Sequence, residues 1–347
     1  MIILTGAVVR LTGSGLGCPT WPKCTDTSYL PHAALGINGV IEFGNRLVTF
    51  VLAVVVIGLA LAAFARTDDR HPRGRIRRLL VLLAIGVPVL AIGLVVMVAT
   101  DYHLAAVIGA ALSYLIIVAV SLWLTREATT TADTAGRNAL LQRLGLLIAL
   151  GIPGQAVVGG FTVLTDLNPY VVAGHLLISF GLVAMSVWFL QTARETPRST
   201  TTRGGHLAAR WTVASLVLVL WLGTVVTGSG PHSGDEFARR TGLNPELMSH
   251  LHAAAVYLTL ALTLLTWWLT RSRTALLLLV AELAQGVIGF VQFFTGLPIA
   301  IVAAHVLGSA LVVAAGTLLL WHTAAGNRKS PHPTGPATNV DGIAVND

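Results

Sequence analysis

The chain has 347 residues, of which 54% are hydrophobic and 11% are charged. Soluble proteins carry about a quarter charged residues, so this composition excludes a soluble enzyme and a secreted disulfide scaffold. The formal net charge is +7, but the basic residues lie in short segments between apolar runs. That distribution is typical of membrane topology, and we predict a lipid bilayer as the surroundings and no nucleic-acid partner.

Apolar runs of about 20 residues predict helices that cross a bilayer. They lack the alternation of a membrane β-barrel, so the predicted class is an all-α polytopic membrane protein. Residues 1–10 are apolar but shorter than a span, and we interpret them as the outer end of a truncated first helix. The predicted spans are 42–65, 79–100, 104–124, 140–163, 170–190, 207–226, 248–269, 274–294 and 298–321.

Charge alternates between the segments that join these spans. Cytoplasmic segments carry an excess of Lys and Arg, which predicts an outer location for residues 11–41 and a cytoplasmic C-terminus. The tail 326–347 is rich in Pro, Gly, Asn and Thr, and we predict that it is disordered. The basic segments are 66–78, 126–143, 194–210 and 271–273.

An internal repeat relates the two halves of the chain. Gln155 and His175 are 20 residues apart, as are Gln285 and His305, and each pair spans a short outer turn. The repeat predicts two like-oriented four-helix bundles with pseudo-twofold symmetry about an axis along the membrane normal. We assign 1–195 to the N-terminal bundle and 206–322 to the C-terminal one, and we interpret both glutamines as interhelical hydrogen-bonders.

A second repeat is local. Residues 79–124 match 140–190 at an offset of 65, so the N-terminal half is predicted to hold an extra duplicated helix pair. Ala110 stands at the position of His175 in this copy, which therefore lacks the histidine.

Three histidines lie within spans at similar predicted depth, near the outer face: His175, His252 and His305. An ionisable residue inside a span indicates function, because burying it in lipid is costly. Neutral imidazole has a free nitrogen that suits haem iron, and His252 and His305 are placed to ligate one iron from both sides. A lone histidine more often forms an interhelical hydrogen bond, but two at matching depth favour the ligand interpretation.

The repeat puts Asn45 at the position equivalent to His252, and Asn is a poor iron ligand. The first half therefore has one strong axial ligand, His175, and one open or weakly held position. Glu42 lies about one turn from Asn45 on the same helix face. Proton transfer and stabilisation of a helix start remain alternatives for Glu42, while Arg46 is a candidate for haem propionates or for snorkelling to the interface.

Cys18 and Cys24 are the two cysteines of the chain. Their outer location and the Gly- and Pro-rich segment around them predict a disulfide in an oxidising compartment. A free reactive pair remains an alternative.

Several segments resemble the haem A synthase family. The longest is the first outer loop, Val-Val-Arg-Leu-Thr-Gly-Ser-Gly-Leu-Gly-Cys-Pro-Thr-Trp-Pro-Lys-Cys. Together they cover most of the chain except 66–138 and the tail. The segments are 8–24, 41–46, 165–169 with His175, 251–253 and 282–286 followed by His305.

The resemblance implies oxidation of the haem O methyl group to the formyl group of haem A, with water as oxygen source. It implies haem b ligated by His252 and His305 in the C-terminal bundle, and substrate haem held by His175 in the N-terminal one. It also implies that Glu42 is required for activity and that Cys18 and Cys24 form a disulfide.

The chain departs from the family pattern in three places. The family usually has histidine at the position of Asn45, its first helix is longer than residues 1–10, and it lacks the extra spans at 79–124. A non-catalytic dihaem b-type electron carrier or a haem-handling protein is the alternative function.

The expected location is the bacterial plasma membrane. The expected partners are haem O synthase and the cytochrome oxidase assembly pathway. The electron acceptor and homo-oligomerisation are left open.

Overall fold

The computed structural model describes residues 1–65, 134–197 and 199–325, and these ranges are almost entirely helical. A short 3-10 turn, Ala33–Leu35, precedes the second helix. Two short strands, β1 (Thr200–Thr201) and β2 (Ala324–Ala325), pair in parallel. The helices are α1 (Ile2–Leu11), α2 (Gly36–Ala65), α3 (Thr134–Leu164), α4 (Pro169–Ala193), α5 (Arg203–Ser229), α6 (Pro245–Thr270), α7 (Arg273–Phe294) and α8 (Ile299–His322).

Seven helices in these described ranges, α2 to α8, are long and apolar enough to cross a membrane. The prediction of an all-helical, multi-span membrane protein is therefore confirmed for this part of the chain. The predicted spans at 79–100 and 104–124, the basic segment 66–78 and the tail 326–347 lie outside the described residues.

Several helices begin earlier than the apolar runs predict. Helix α2 follows the 3-10 turn directly and begins at Gly36 rather than at 42. The side chain of Asn244 accepts a hydrogen bond from Leu247 N (3.0 Å), so α6 begins at Pro245 rather than at 248. Asn followed by Pro fits a helix start, since Asn accepts from a free N–H and Pro has none to satisfy.

The helices pack as two consecutive sets. In the first set α2 lies against α1 and α3, and α3 lies against α4. In the second set each of α5 to α8 packs on the next, and α8 also packs on α5. Between the sets, α8 contacts α1 and α4, and α5 contacts α4. Each of the contacts α1–α8 and α5–α4 therefore joins the first helix of one set to the last helix of the other.

Small and branched apolar residues fill the helix contacts, while large side chains such as Phe50, Trp268 and Phe294 are exposed. That arrangement suits lipid, in which close packing and interhelical hydrogen bonds hold helices together. Three buried clusters result. They are Val56, Ala60, Ile148, Ala149, Ile152 and Leu182 among α2, α3 and α4; Ala209, Leu216, Ala275, Leu278, Val312, Ala315 and Leu319 among α5, α7 and α8; and Ile3, Phe180 and Val313 between the sets.

Loops from both sets meet at one end of the molecule, which we call the site end. Arg10 of α1 donates from Nε to His232 O (2.7 Å) and from Nη2 to Thr227 O (2.8 Å). The backbone N–H of Gly15 donates to Gly234 O (2.8 Å). These bonds tie the first loop to the second set of helices, and they fix the two sets relative to each other near the candidate site.

Candidate functional site

His175 lies in the first set, with its imidazole between α4 and α3. A Cβ atom added to Gly159 of α3 would lie 3.3 Å from His175 Cε1, which is closer than ordinary contact. The ring therefore occupies space that a side chain on α3 would fill. Glycine at 159 is what lets the imidazole sit directly on the helix backbone.

The two histidines of the second set are placed in the same way. A Cβ on Gly289 of α7 would lie 3.5 Å from His305 Cε1, and a Cβ on Gly223 of α5 would lie 3.3 Å from His252 Cε1. His252 Nδ1 also lies 3.1 Å from the backbone oxygen of Val219. Each of the three predicted histidines thus packs on a glycine of the preceding helix.

His252 lies on α6 and His305 on α8, within the same set of helices. His305 Nδ1 is buried and has no hydrogen-bond partner among the described residues. The described ranges contain no group of three or more His, Cys, Asp or Glu side chains placed to hold a metal ion. Histidines in pairs suit a metal that already carries four ligands of its own, as iron does in a porphyrin.

The three glycines were not predicted from the sequence, although the spacing of two of them to the histidines is visible there. Gly159 precedes His175 by 16 residues, and Gly289 precedes His305 by the same number. Both glycines stand in the repeated segments that begin with Gln155 and Gln285, but the repeat alone does not say what a glycine contacts. The structure shows that they are part of the repeated histidine site.

Asn45 lies on α2 at the position equivalent to His252, but its side chain has a different partner from that of His252. Its Oδ1 lies 2.7 Å from the hydroxyl of Thr5 on α1. Gly6, the next residue, is equivalent in the repeat to Gly223, and a Cβ added there would meet no atom within 4 Å. The glycine is therefore retained in the first set, while the side chain opposite it is too short to pack on it as His252 packs on Gly223.

Glu42 is 5% exposed and accepts two hydrogen bonds. Its Oε2 accepts from the backbone N–H of Cys18 (2.6 Å), and its Oε1 accepts from Arg46 Nη2 (2.6 Å). Since α2 begins at Gly36, Glu42 lies beyond the first turn. The alternative that Glu42 stabilises a helix start is therefore wrong.

Arg46 continues this network into the first loop, residues 12–32, which we call the disulfide loop. Its guanidinium donates to the backbone oxygens of four loop residues at 3.1–3.4 Å. All four acceptors belong to the disulfide loop, so the guanidinium holds that loop onto α2. Its predicted contact with haem propionates stays a prediction. The four acceptors are Cys18, Thr20, Pro22 and Lys23.

The disulfide loop closes over the first histidine site. Cys18 and Cys24 are bonded to each other and fully buried, which confirms the predicted disulfide. Trp21 lies directly on Gly160 of α3, with its ring where a Cβ would stand. Gly160 adjoins Gly159, on which His175 packs, so the loop covers α3 beside the imidazole.

Comparisons with known proteins found one matching family model and several similar proteins. A family model described as "Cytochrome oxidase assembly protein" (COX15-CtaA) matches residues 1–104. The chain is 32% identical to a protein of Geobacillus thermodenitrificans named "Heme A synthase", over 40% of this chain and 43% of that protein. It is 38% identical to a protein of the same name from Geobacillus kaustophilus over 18% of each chain.

A third "Heme A synthase", from Bacillus licheniformis, is 36% identical over 17% of this chain and 19% of that protein. The matched segments thus span less than half the length of each of these relatives. No solved structure matches the chain.

Proposed function

We propose that this chain, whose similarities support the haem A synthase family, is a membrane oxidoreductase that converts haem O to haem A. The conversion removes electrons and protons from a methyl carbon and adds a water oxygen. A protein that performs it needs a place for the substrate haem, a route for the electrons and a group that accepts protons. The two sets of helices provide candidates for each.

In this proposal His252 and His305 of the second set hold a haem b. Both imidazoles pack on glycine, and His305 Nδ1 is a buried nitrogen without a hydrogen-bond partner among the described residues. These features suit two side chains that would together hold one haem iron. Haem b bound there supplies a one-electron relay away from the substrate.

The first set holds the substrate haem through His175. Asn45 is hydrogen-bonded to Thr5 and is a poor iron ligand, so the first set would offer the iron one strong ligand, His175. An electron-transfer site favours two strong ligands, whereas a site of chemistry benefits from one exchangeable position, so the asymmetry supports catalysis in the first set. Trp21 of the disulfide loop covers α3 at Gly160, next to the glycine on which His175 packs. The Glu42 carboxylate is the candidate proton acceptor.

The two sets are proposed to be pseudo-twofold-related four-helix bundles, 1–195 and 206–322. The paired contacts of α1 with α8 and of α5 with α4 support this symmetry. The site end is proposed to face the outer side of a bacterial plasma membrane, because a disulfide persists in an oxidising compartment. The proposed partners are haem O synthase and the oxidase assembly pathway.

The observation that carries the proposal is that His175, His252 and His305 each pack on a glycine in a repeated frame at one end of the bundle. We expect cells that express the chain with a haem O source to yield a formyl haem on pigment extraction, and the purified chain to show a b-type spectrum. His305→Ala should remove that spectrum.

Extraction of protohaem alone, from cells in which haem O is demonstrably present, would instead support a dihaem electron carrier. A colourless purified chain would contradict both functions.

A further inference from the structure

Gln155 lies beside the imidazole of His175. It precedes Gly159 by four residues on α3, so both face the ring. Gln155 is 8% exposed. With its amide nitrogen turned to the ring, that nitrogen lies 2.6 Å from His175 Nδ1 and the amide oxygen lies 3.2 Å from Ser179 N. Exchanging the two amide atoms places the oxygen 2.6 Å from Nδ1 and 3.3 Å from the backbone oxygen of His175, so the oxygen accepts from the ring only where Nδ1 carries the hydrogen.

Iron ligation selects between these orientations. An imidazole that binds metal through Nε2 carries its hydrogen on Nδ1, and that N–H needs an acceptor. The Ser179 N–H lies inside α4, whose own ladder uses it, so the amide oxygen is not required there. The Gln155 oxygen is therefore the acceptor for His175 Nδ1–H when iron is bound.

His252 shows the same arrangement with a different acceptor. Its Nδ1 lies 3.1 Å from Val219 O, and a backbone oxygen can only accept, so Nδ1 carries the hydrogen. Val219 precedes Gly223 by four residues, as Gln155 precedes Gly159. The acceptor and the glycine thus occupy consecutive turns of the helix under the ring in both cases.

His305 has the matching groups in place. Gln285 precedes Gly289 by four residues, and its amide lies directly on Gly308, one turn beyond His305 on α8. Gln285 Oε1 and His305 Nδ1 are both buried, and neither has a hydrogen-bond partner among the described residues. Buried polar groups are normally hydrogen-bonded, and Gln285 Oε1 is the candidate acceptor for His305 Nδ1.

We propose that Gln155 and Gln285 are positioning residues that accept a hydrogen bond from Nδ1 of His175 and His305, and so fix the tautomer in which Nε2 binds iron. Each acts through its histidine and does not touch the iron. The inference rests on the proposed haem sites, and it deepens them by assigning a function to two glutamines that otherwise only link helices.

The test measures haem affinity and midpoint potential in the purified full-length chain loaded with haem. An acceptor on Nδ1 makes the imidazole more electron-donating, which favours ferric iron. Gln155→Leu should weaken haem binding by about 10- to 100-fold and raise the potential of the component that His175→Ala removes. Gln155→Glu should lower that potential, and Gln285→Leu and Gln285→Glu should do the same at the other site.

Gln142→Leu is the matched control, since Gln142 is a buried glutamine on α3 far from the ring. It should shift neither quantity. A merely structural glutamine would move the potential in the same direction with Leu and Glu, and that result overturns the inference. Wild-type behaviour of both variants also overturns it. If the wild-type chain itself binds no haem, the proposed function fails, and this inference fails with it.

Discussion

At the residue scale, each candidate ligand depends on a missing side chain on the neighbouring helix. Gly159, Gly223 and Gly289 let an imidazole lie within about van der Waals distance of a helix backbone. Glycine costs about 1 kcal/mol against alanine inside a helix. Here the histidine ring packs in the space that the absent side chain leaves, and this packing offsets the cost.

Gly289→Val should therefore displace His305. The added methyl groups extend past a Cβ that already lies 3.5 Å from Cε1, so we expect loss of most of the b-type absorbance of the purified protein. Gly286→Val, on the same helix, is the control, because a Cβ at Gly286 meets no atom within 4 Å. Equal haem content in the two variants would show that the glycine does not place the ligand.

Glu42→Gln should keep haem and abolish most of the turnover. The buried carboxylate accepts from Cys18 N and from Arg46, and an amide has one acceptor oxygen for these two donors. Leaving one donor unpaired costs about 1–3 kcal/mol, so the melting temperature should also fall. Turnover and haem content, measured together, separate catalysis from binding, and full activity would exclude Glu42 as a proton acceptor.

At the element scale, the disulfide loop is held to the helices from several sides. Cys18 and Arg46 join it to α2, Trp21 packs on α3, and Gly15 bonds the loop between α5 and α6. A loop attached at this many points behaves as a fixed cover. Its position determines what reaches the first histidine site.

The double variant Cys18→Ser, Cys24→Ser should loosen this cover. Opening so short a loop costs about 2 kcal/mol on the chain-entropy model, and turnover should fall while the b-type spectrum of the second set stays. A thiol reductant should reproduce the effect in the wild-type chain and add nothing to the double variant. Comparison with Glu42→Gln is informative, because equal losses of turnover at equal melting temperature would mean that Glu42 acts only through the loop.

At the scale of the whole molecule, the two sets of helices share the repeated glycines but differ in one candidate ligand. The first has Asn45 near Gly6, and the second has His252 on Gly223. Both glycines are present, so the difference lies in the opposing side chain. In the proposed function, this asymmetry is the reason for placing ligand exchange and catalysis in the first set and the electron relay in the second.

Asn45→His should make the first set resemble the second. A histidine has room to pack on Gly6, where an added Cβ meets no atom within 4 Å, and a second strong ligand should block the exchangeable position. We expect carbon monoxide to bind reduced haem in the first set of the wild-type chain and of Asn45→Ala, but not in Asn45→His, with turnover reduced in the last. Difference spectra report this directly, and carbon monoxide binding by Asn45→His would contradict the assignment.

Much of the helical architecture could be predicted from local sequence. Every described helix from α2 to α8 coincides with a predicted apolar run, because the bilayer imposes a minimum length on any span. The predicted starts of the helices were less accurate. Helix α6 begins at Pro245 because Asn244 caps it, and a polar capping residue lies outside the apolar run. The three histidines stand out in the sequence because an ionisable residue inside a span is costly, and their role as iron ligands stays a prediction.

The sequence by itself determined the helical class, the spans, the repeat and the residue types able to hold iron, because these depend on composition and spacing along the chain. Only the tertiary structure decided what those residues touch: that Glu42 and Arg46 hold the disulfide loop, that each histidine packs on a glycine, and that Asn45 bonds Thr5. Such contacts join helices far apart in sequence. They depend on how the helices are rotated and how closely they approach, which a one-dimensional pattern does not specify.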